Sequence, residues 1–311
     1  MSKPDKTLKV TYCNGTNFGD ELNRYILEKY LDRKFLLESI EWSQVIGIGS
    51  ILDYIFIASQ RKGRWLYQRL PIKVFSSGFP FPEEEVDLKL ARPVRKLQIY
   101  ALRGYKSLER MQQYLNLPLD NVVIADGGLL AGTLLTEKIE KEFELGIVPH
   151  ASEKNEAIYS QLSSKLGGGS IVLDIEKNPL DFLRDLAKCK RIISSALHPL
   201  IAADSLGIPN MWVRLHERTT SKYKFEDYYS ALDKYKTPTY IYKIDYKTLL
   251  QQIDNNYDIP NEIIKNKQKE LMYVLEKMKN DLEHEEHRML QYISYHILPR
   301  IRQICTYIRI S

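Results

Sequence analysis

Short apolar runs alternate with small-residue turns and amphipathic stretches along most of this chain. Residues 8–12 form the first apolar run and enter the turn Cys13-Asn14-Gly15-Thr16-Asn17-Phe18-Gly19-Asp20. Leu22, Tyr25, Ile26 and Tyr30 then recur at helical spacing, which predicts a helix over 21–31 with Asp20 as its N-cap. The cycle repeats. A strand over 44–48 runs into Gly49-Ser50-Ile51-Leu52, and a strand over 73–75 runs into the turn Ser76-Ser77-Gly78. A strand over 97–102 delivers Arg103-Gly104 to a helix over 105–115, and a strand over 122–125 ends at Asp126-Gly127-Gly128.

A charged segment, 137–144, reads as a hinge helix, after which the pattern restarts. Strands are expected over 145–148, 171–175, 191–193, 210–213 and 239–244, with helices over 157–165, 179–189 and 198–206. Strand–turn–helix units repeated in this way predict parallel sheets covered by helices. The expected architecture is α/β, with two doubly wound, Rossmann-like domains over 1–140 and 141–254. A helical, basic C-terminal extension over 255–311 completes it. Leu271, Val274, Leu275 and Met278 give that extension one apolar face. From His287 onward it has no acidic residue, and Arg288, Arg300, Arg302 and Arg309 alternate with Leu, Ile and Tyr. Such an end either packs back onto the core or lies on an anionic membrane surface.

Composition narrows the class. The chain has 311 residues, 44% hydrophobic and 27% charged, as in a globular protein. No apolar run approaches the roughly 18 residues that span a bilayer, and the first residues lack the apolar core of a signal peptide. The expected location is the cytoplasm, at the inner face of the membrane if the tail binds lipid. Cys13, Cys189 and Cys305 have no zinc or disulfide spacing and are expected to be buried thiols. His284-Glu285-Glu286-His287 is one residue short of a zinc-binding helix motif, so no metal is assigned. A net charge of +5 without a dense basic stripe excludes nucleic acid as the expected partner and suits a small anion.

The stretch 194–209 carries the sharpest chemistry. An apolar strand runs through Ser194-Ser195-Ala196 into Leu197-His198 at a helix start. Open α/β sheets bind ligands at strand C-terminal ends, and helix N-termini favour anions. His198 therefore stands where a phosphorylated ligand is held, with a side chain able to move a proton near neutral pH. Gly15-x-x-x-Gly19 is not a Walker loop, because no Gly-Lys-Ser/Thr follows.

Seven segments, in order over about 10–235, resemble the polysaccharide pyruvyltransferase family, in particular its exopolysaccharide ketal-pyruvate transferases. Asn17-Phe18-Gly19-Asp20-Glu21-Leu22-Asn23 is similar to the family's Asn-x-Gly-Asp motif, and Gly47-Ile48-Gly49-Ser50-Ile51-Leu52 to its glycine-rich second turn. Ala101-Leu102-Arg103-Gly104-Tyr105-Lys106-Ser107 and Ala125-Asp126-Gly127-Gly128-Leu129-Leu130 resemble two further strand-end motifs. Ile147-Val148-Pro149-His150 resembles the family's Ile-Pro-His, 196–209 its histidine helix, and Lys224-Phe225-Glu226-Asp227-Tyr228 its Lys-x-x-Asp-Tyr element. One departure is Ala196, where many members carry arginine before Leu-His, so another cation must serve here.

The resemblance implies a GT-B-like fold, phosphoenolpyruvate as donor and a sugar hydroxyl pair as acceptor. The implied product is a pyruvate ketal on a hexose of a lipid-linked capsular or exopolysaccharide repeat unit, with no cofactor. Such chemistry needs a general acid, a general base, and cations for a carboxylate and a phosphate. His198 is the first candidate for proton donor and His150 the second, with Asp20 as base on the acceptor hydroxyl and Asp126 as an alternative. Arg103 is the leading anion contact, since its planar fork pairs with oxyanions. Lys106 and Lys224 are weaker cations, because exposed lysines are mostly solvated. Asn17, Gly49, Ser50 and Ser77 offer turn N–H groups. Two rival readings share the fold: a glycosyltransferase using a nucleotide sugar, and a non-catalytic protein of polysaccharide assembly.

Overall fold

The computed structural model describes residues 6–13, 15, 17–57, 70–82, 93, 95–217 and 221–292. It contains two parallel sheets, each flanked by helices, so the chain has two α/β domains. The first sheet joins β1 (Thr7–Thr11), β2 (Lys34–Leu37), β3 (Val45–Ile46), β4 (Ile72–Ser77), β5 (Leu97–Leu102) and β6 (Val123–Ile124) in the order β2-β1-β3-β4-β5-β6. With it come α1 (Phe18–Leu31), α2 (Tyr54–Ile57) and α3 (Tyr105–Leu115).

The second sheet joins β7 (Leu145–Val148), β8 (Ser170–Val172), β9 (Ile192–Ser194), β10 (Asn210–Arg214) and β11 (Thr239–Tyr240) in the order β11-β10-β9-β7-β8. Its helices are α4 (Ala157–Leu166), α5 (Pro179–Ala187), α6 (Leu197–Ser205), α7 (Tyr223–Ser230) and α8 (Leu249–Asn256). In each sheet the chain first winds to one side and then reverses, between β1 and β3 and between β7 and β9. Loops leaving strands on either side of such a reversal splay apart and open a crevice at the strands' C-terminal ends.

Burial explains why these strands are strands. Val45, Ile46 and Ile72 through Ser77 are almost wholly buried, as expected of parallel strands covered on both faces. One strand, β2, was not expected. It is a four-residue edge strand directly after α1, and its Phe35-Leu36-Leu37 run is largely exposed. Two other expectations need correction. The segment 137–144 is not a helix. Phe143 and Cys189 form a parallel bridge, and Lys141 Nζ donates to the carbonyls of Ala187 and Cys189 at 2.8 and 2.7 Å. Only Ile139 and Phe143 would have lined an apolar face there, too few to hold a helix against the core. Ser77 is likewise no turn residue but the last residue of β4.

The last described helix, α9 (Asn261–Tyr292), packs back onto the first domain. Leu271, Val274, Leu275, Met278 and Leu282 are buried in the main core. Polar contacts set its register: Lys73 to Glu285 at 2.6 Å, Gln98 to Asp281 at 2.9 Å, and Arg33 to Glu286. The remaining basic tail lies outside the described residues. No helix among the described residues is long and apolar enough to cross a membrane.

Candidate active site

The loops at the two sheet reversals converge. Asn17 and Asp20 follow β1, Gly49 and Ser50 follow β3, His150 follows β7, and His198 follows β9. The first loop is joined directly to the second domain. Phe18 donates its backbone N–H to the Ile175 carbonyl at 2.8 Å, and its ring packs on Phe182 at 4.5 Å.

Helix α1 begins three residues earlier than its apolar spacing indicates, and its N-cap is Asn17, not Asp20. Asn17 Oδ1 accepts from the N–H groups of Gly19 and Asp20 at 3.1 and 3.2 Å. Asp20, released from capping, turns into the crevice, where Asn17 Nδ2 donates to its carboxylate at 2.5 Å. Burial raises its pKa to about 6, with the Asn17 bond and the Lys224 charge pulling the other way. A carboxylate so poised can take a proton near neutral pH.

His198 is the second residue of α6, whose first turn has no side-chain cap. The imidazole crosses to the first domain and lies against Gly19: a Cβ at Gly19 would overlap its ring. A Cβ at Gly128 would meet its Cδ2 at 3.7 Å. Gly19 thus gives the ring room, while a side chain at 128 would only touch it. Its Nε2 is buried and has no hydrogen-bond partner among the described residues. Burial, then the charges of Lys224 and Arg103, lower its pKa to about 3, so the imidazole is neutral in the unliganded protein. His150 is partly buried. Its Nδ1 lies 2.8 Å from Ser152 Oγ and accepts from the Ser152 N–H at 3.3 Å, which leaves the proton on Nε2. Burial and Lys224 lower its pKa as well.

A buried network ties the two histidine loops together. Glu153 accepts from Ser195 Oγ at 2.6 Å and from the Tyr159 hydroxyl, while Ser195 Oγ accepts from the His150 N–H at 2.8 Å. Neither Glu153 nor Ser195 was singled out from the sequence. The one available signal was the Ser194-Ser195 pair at a strand end, a position where hydroxyls bind loop backbone.

The cations divide into two kinds. Arg103 is fully buried between the domains. Its Nε donates to Asp227 at 2.8 Å, Nη1 to Ser50 Oγ at 2.6 Å, and Nη2 to the Phe79 carbonyl at 2.6 Å. Asp227 also accepts from the N–H and Oγ of Ser107 at 2.9 and 2.6 Å. Lys106 pairs with Glu226 on α7 at 2.5 Å. Both are therefore latch residues holding α7 to α3, not free charges facing the crevice. Ser77 is also withdrawn, because it is fully buried and its Oγ donates to the Gly47 carbonyl. Gly49, at φ +135°, has open space where a side chain would stand, but the residue is buried and its carbonyl accepts from the Gly78 N–H at 2.9 Å.

Lys224, at the first turn of α7, is the opposite case. It makes no hydrogen bond or ion pair among the described residues. Burial and the nearby Arg103 lower its pKa to about 8, while Asp20 and Cys13 favour its charge. Its field reaches Asp20, His150 and His198. The latch on Asp227 and Glu226 is what brings it here. Asp126 completes the wall. Its Oδ1 accepts from the Gly128 N–H at 2.8 Å, its Oδ2 is buried without a partner among the described residues, and burial raises its pKa to about 6. Cys13, expected to be buried, is exposed beside Asp20, while Cys189 is buried.

The family model described as polysaccharide pyruvyl transferase matches residues 17–217. Uncharacterized protein L143 of Acanthamoeba polyphaga mimivirus is 27% identical over 277 residues, covering 84% of this chain and 88% of that protein. A functionally uncharacterized Klebsiella pneumoniae protein of known structure aligns over 76% of this chain and 92% of its own, at 15% identity and a TM-score of 0.44. The glycotransferase of kitacinnamycin aligns over 91% of this chain and 99% of its own, at 7% identity and a TM-score of 0.49.

Proposed function

The chain belongs to the polysaccharide pyruvyl transferase family, and from that premise we propose that it moves pyruvate from phosphoenolpyruvate onto two hydroxyls of a hexose as a ketal. The acceptor in this reading is a lipid-linked capsular or exopolysaccharide unit, met at the membrane surface. The two domains are read as a GT-B-like pair with the reaction between them. One observation carries the reading: an unpaired ammonium, Lys224, in a crevice with Asp20, His150 and His198. A cation with no ion-pair or hydrogen-bond partner among the described residues, beside two neutral imidazoles, suits an anionic donor.

The chemistry then assigns itself. Lys224 binds a carboxylate or phosphate of phosphoenolpyruvate, in place of the arginine that Ala196 lacks. The negative donor reverses the field at His198, whose imidazole gains a proton. His198 delivers that proton to C3, which makes C2 electrophilic. Asp20 takes the proton of the first sugar hydroxyl as its oxygen bonds to C2. The C2–O bond to phosphate breaks, the phosphate leaving with the proton that Asp20 took, and the second hydroxyl oxygen bonds to C2 as its proton passes to His198, which restores both groups. In this reading His150 donates a hydrogen bond from its Nε2–H to the departing phosphate.

The experiment is turnover in D2O with phosphoenolpyruvate and a panel of lipid-linked or synthetic hexosides. The expected result is phosphate release together with a ketal whose methyl group carries one deuterium. No phosphate release with any hexoside, or release without ketal, defeats the reading. Nucleotide sugars enter the same panel as donors, and glycosyl transfer from one would favour the rival.

A further inference from the structure

Away from the crevice, a cavity of about 310 Å³ opens beside the N-terminal end of β10. Its size is at the lower end of the ~300–1,000 Å³ typical of small-molecule sites. Trp212, Tyr229, Tyr257 and Tyr235 supply four aromatic rings to its lining, and Asn256 and Thr237 add an amide and a hydroxyl. Trp212 and Tyr229 are each 3% exposed. The indole Nε1 is buried with no hydrogen-bond partner among the described residues. A buried donor left unmade costs roughly 1–3 kcal/mol, so the indole at this cavity wall points to a ligand that accepts from it.

The electrostatics limit what that ligand is. The one cation in the lining, Lys236, is already neutralised by Asp258 and donates to the Asn256 carbonyl at 2.8 Å. A phosphate or carboxylate would find no free charge. Tyr235 stands at the mouth, 84% exposed, on a segment held by the Lys234–Asp258 ion pair at 3.1 Å. An exposed ring on a fixed backbone is a platform, since little entropy is lost when something stacks on it. Flat rings, amides, hydroxyls and no net charge together suit the apolar C–H faces and hydroxyl rims of neutral sugars.

We propose that this cavity is a neutral-saccharide subsite, separate from the reacting centre, that holds part of the acceptor glycan. The word acceptor rests on the pyruvyl-transfer reading; saccharide binding itself does not. Helix α7 links the two places. Phe225 stacks on Trp212 at 4.2 Å, next to Lys224 in the crevice, while Tyr229 is five residues on, about 7.5 Å along the axis. A glycan seated in the cavity therefore braces the helix that carries the donor cation.

The test is titration of the full chain with cellotetraose, maltotetraose and β-1,4-galactotetraose, followed by calorimetry and saturation-transfer NMR. At least one tetrasaccharide is expected to bind saturably without phosphoenolpyruvate. Tyr235→Ala should weaken it about tenfold and Tyr229→Phe several-fold, with Tm and phosphoenolpyruvate binding retained. Absence of saturable binding by all three, or binding that survives both substitutions unchanged, overturns the subsite. Saccharide binding by a protein inert toward phosphoenolpyruvate supports the subsite and counts only against the transfer reading.

Discussion

Replacing Lys224 with methionine separates function from stability more cleanly than any other change in this protein. The side chain keeps its length and loses its charge. Burial lowers the ammonium pKa from 10.5 to about 8 in the folded chain. At about 1.4 kcal/mol for each tenfold change in proton affinity, keeping it charged costs the folded state roughly 3 kcal/mol. The sign follows from linkage. A lysine easier to deprotonate when folded is a full penalty below about pH 8, a shrinking one up to 10.5, and none above. Lys224→Met should therefore raise stability at pH 7 by about 1–3 kcal/mol, with the gain fading above pH 8. It should also raise the dissociation constant for phosphoenolpyruvate by about 10- to 150-fold, the loss of one charge-assisted contact at roughly 1.5–3 kcal/mol. Denaturant melts from pH 6 to 10.5 and calorimetric titration with the donor measure both. A destabilised variant, or one that binds the donor as well as the parent, refutes the assignment of Lys224 as a cation held for a ligand.

Three further outcomes follow from the same geometry. Asp227→Ala leaves the buried Arg103 guanidinium without its counter-ion and should cost about 3–5 kcal/mol in denaturant melts, whereas a loss below 1 kcal/mol would show that the latch is not a structural ion pair. Gly19→Ala places a methyl where the His198 ring lies; alanine is the better helix former by about 1 kcal/mol, so turnover should fall at least a hundredfold while Tm changes little, and normal turnover would remove that ring from the mechanism. Phosphoenolpyruvate affinity, followed by calorimetry against pH, should show an alkaline limb beginning near pH 8, where the Lys224 ammonium loses its proton. Lys224→Arg should carry the alkaline limb beyond pH 10, and an unmoved limb would assign it to another group.

Much of this arrangement can be read from the chain, for a definite reason. A buried parallel strand must be apolar, and the turn that leaves it must be small and polar, so the ends of β1, β5, β7 and β9 announce themselves. Asp20, His150 and His198 stand at or just after such ends. Where the rule fails, a contact distant in sequence has taken over. Asn17-Phe18-Gly19 reads as loop because Gly19 is a poor helix residue, yet it sits in the first turn of α1 because the His198 ring occupies the space of its side chain. Lys224 reads as one solvated lysine among many. Its place depends on Asp227 reaching Arg103 across 124 positions of sequence. Arg103, in turn, reads as a ligand contact because nothing local reveals that partner.

The central claim is that Lys224 and the two histidines bind an anionic donor at the meeting point of the sheet reversals. A crystal structure of the protein soaked with phosphoenolpyruvate measures this directly. The expected result is a phosphate or carboxylate oxygen within hydrogen-bond distance of Lys224 Nζ, with C3 facing His198 Nε2. Donor density elsewhere on the surface, or a ligand contacting neither Lys224 nor His198, would contradict it.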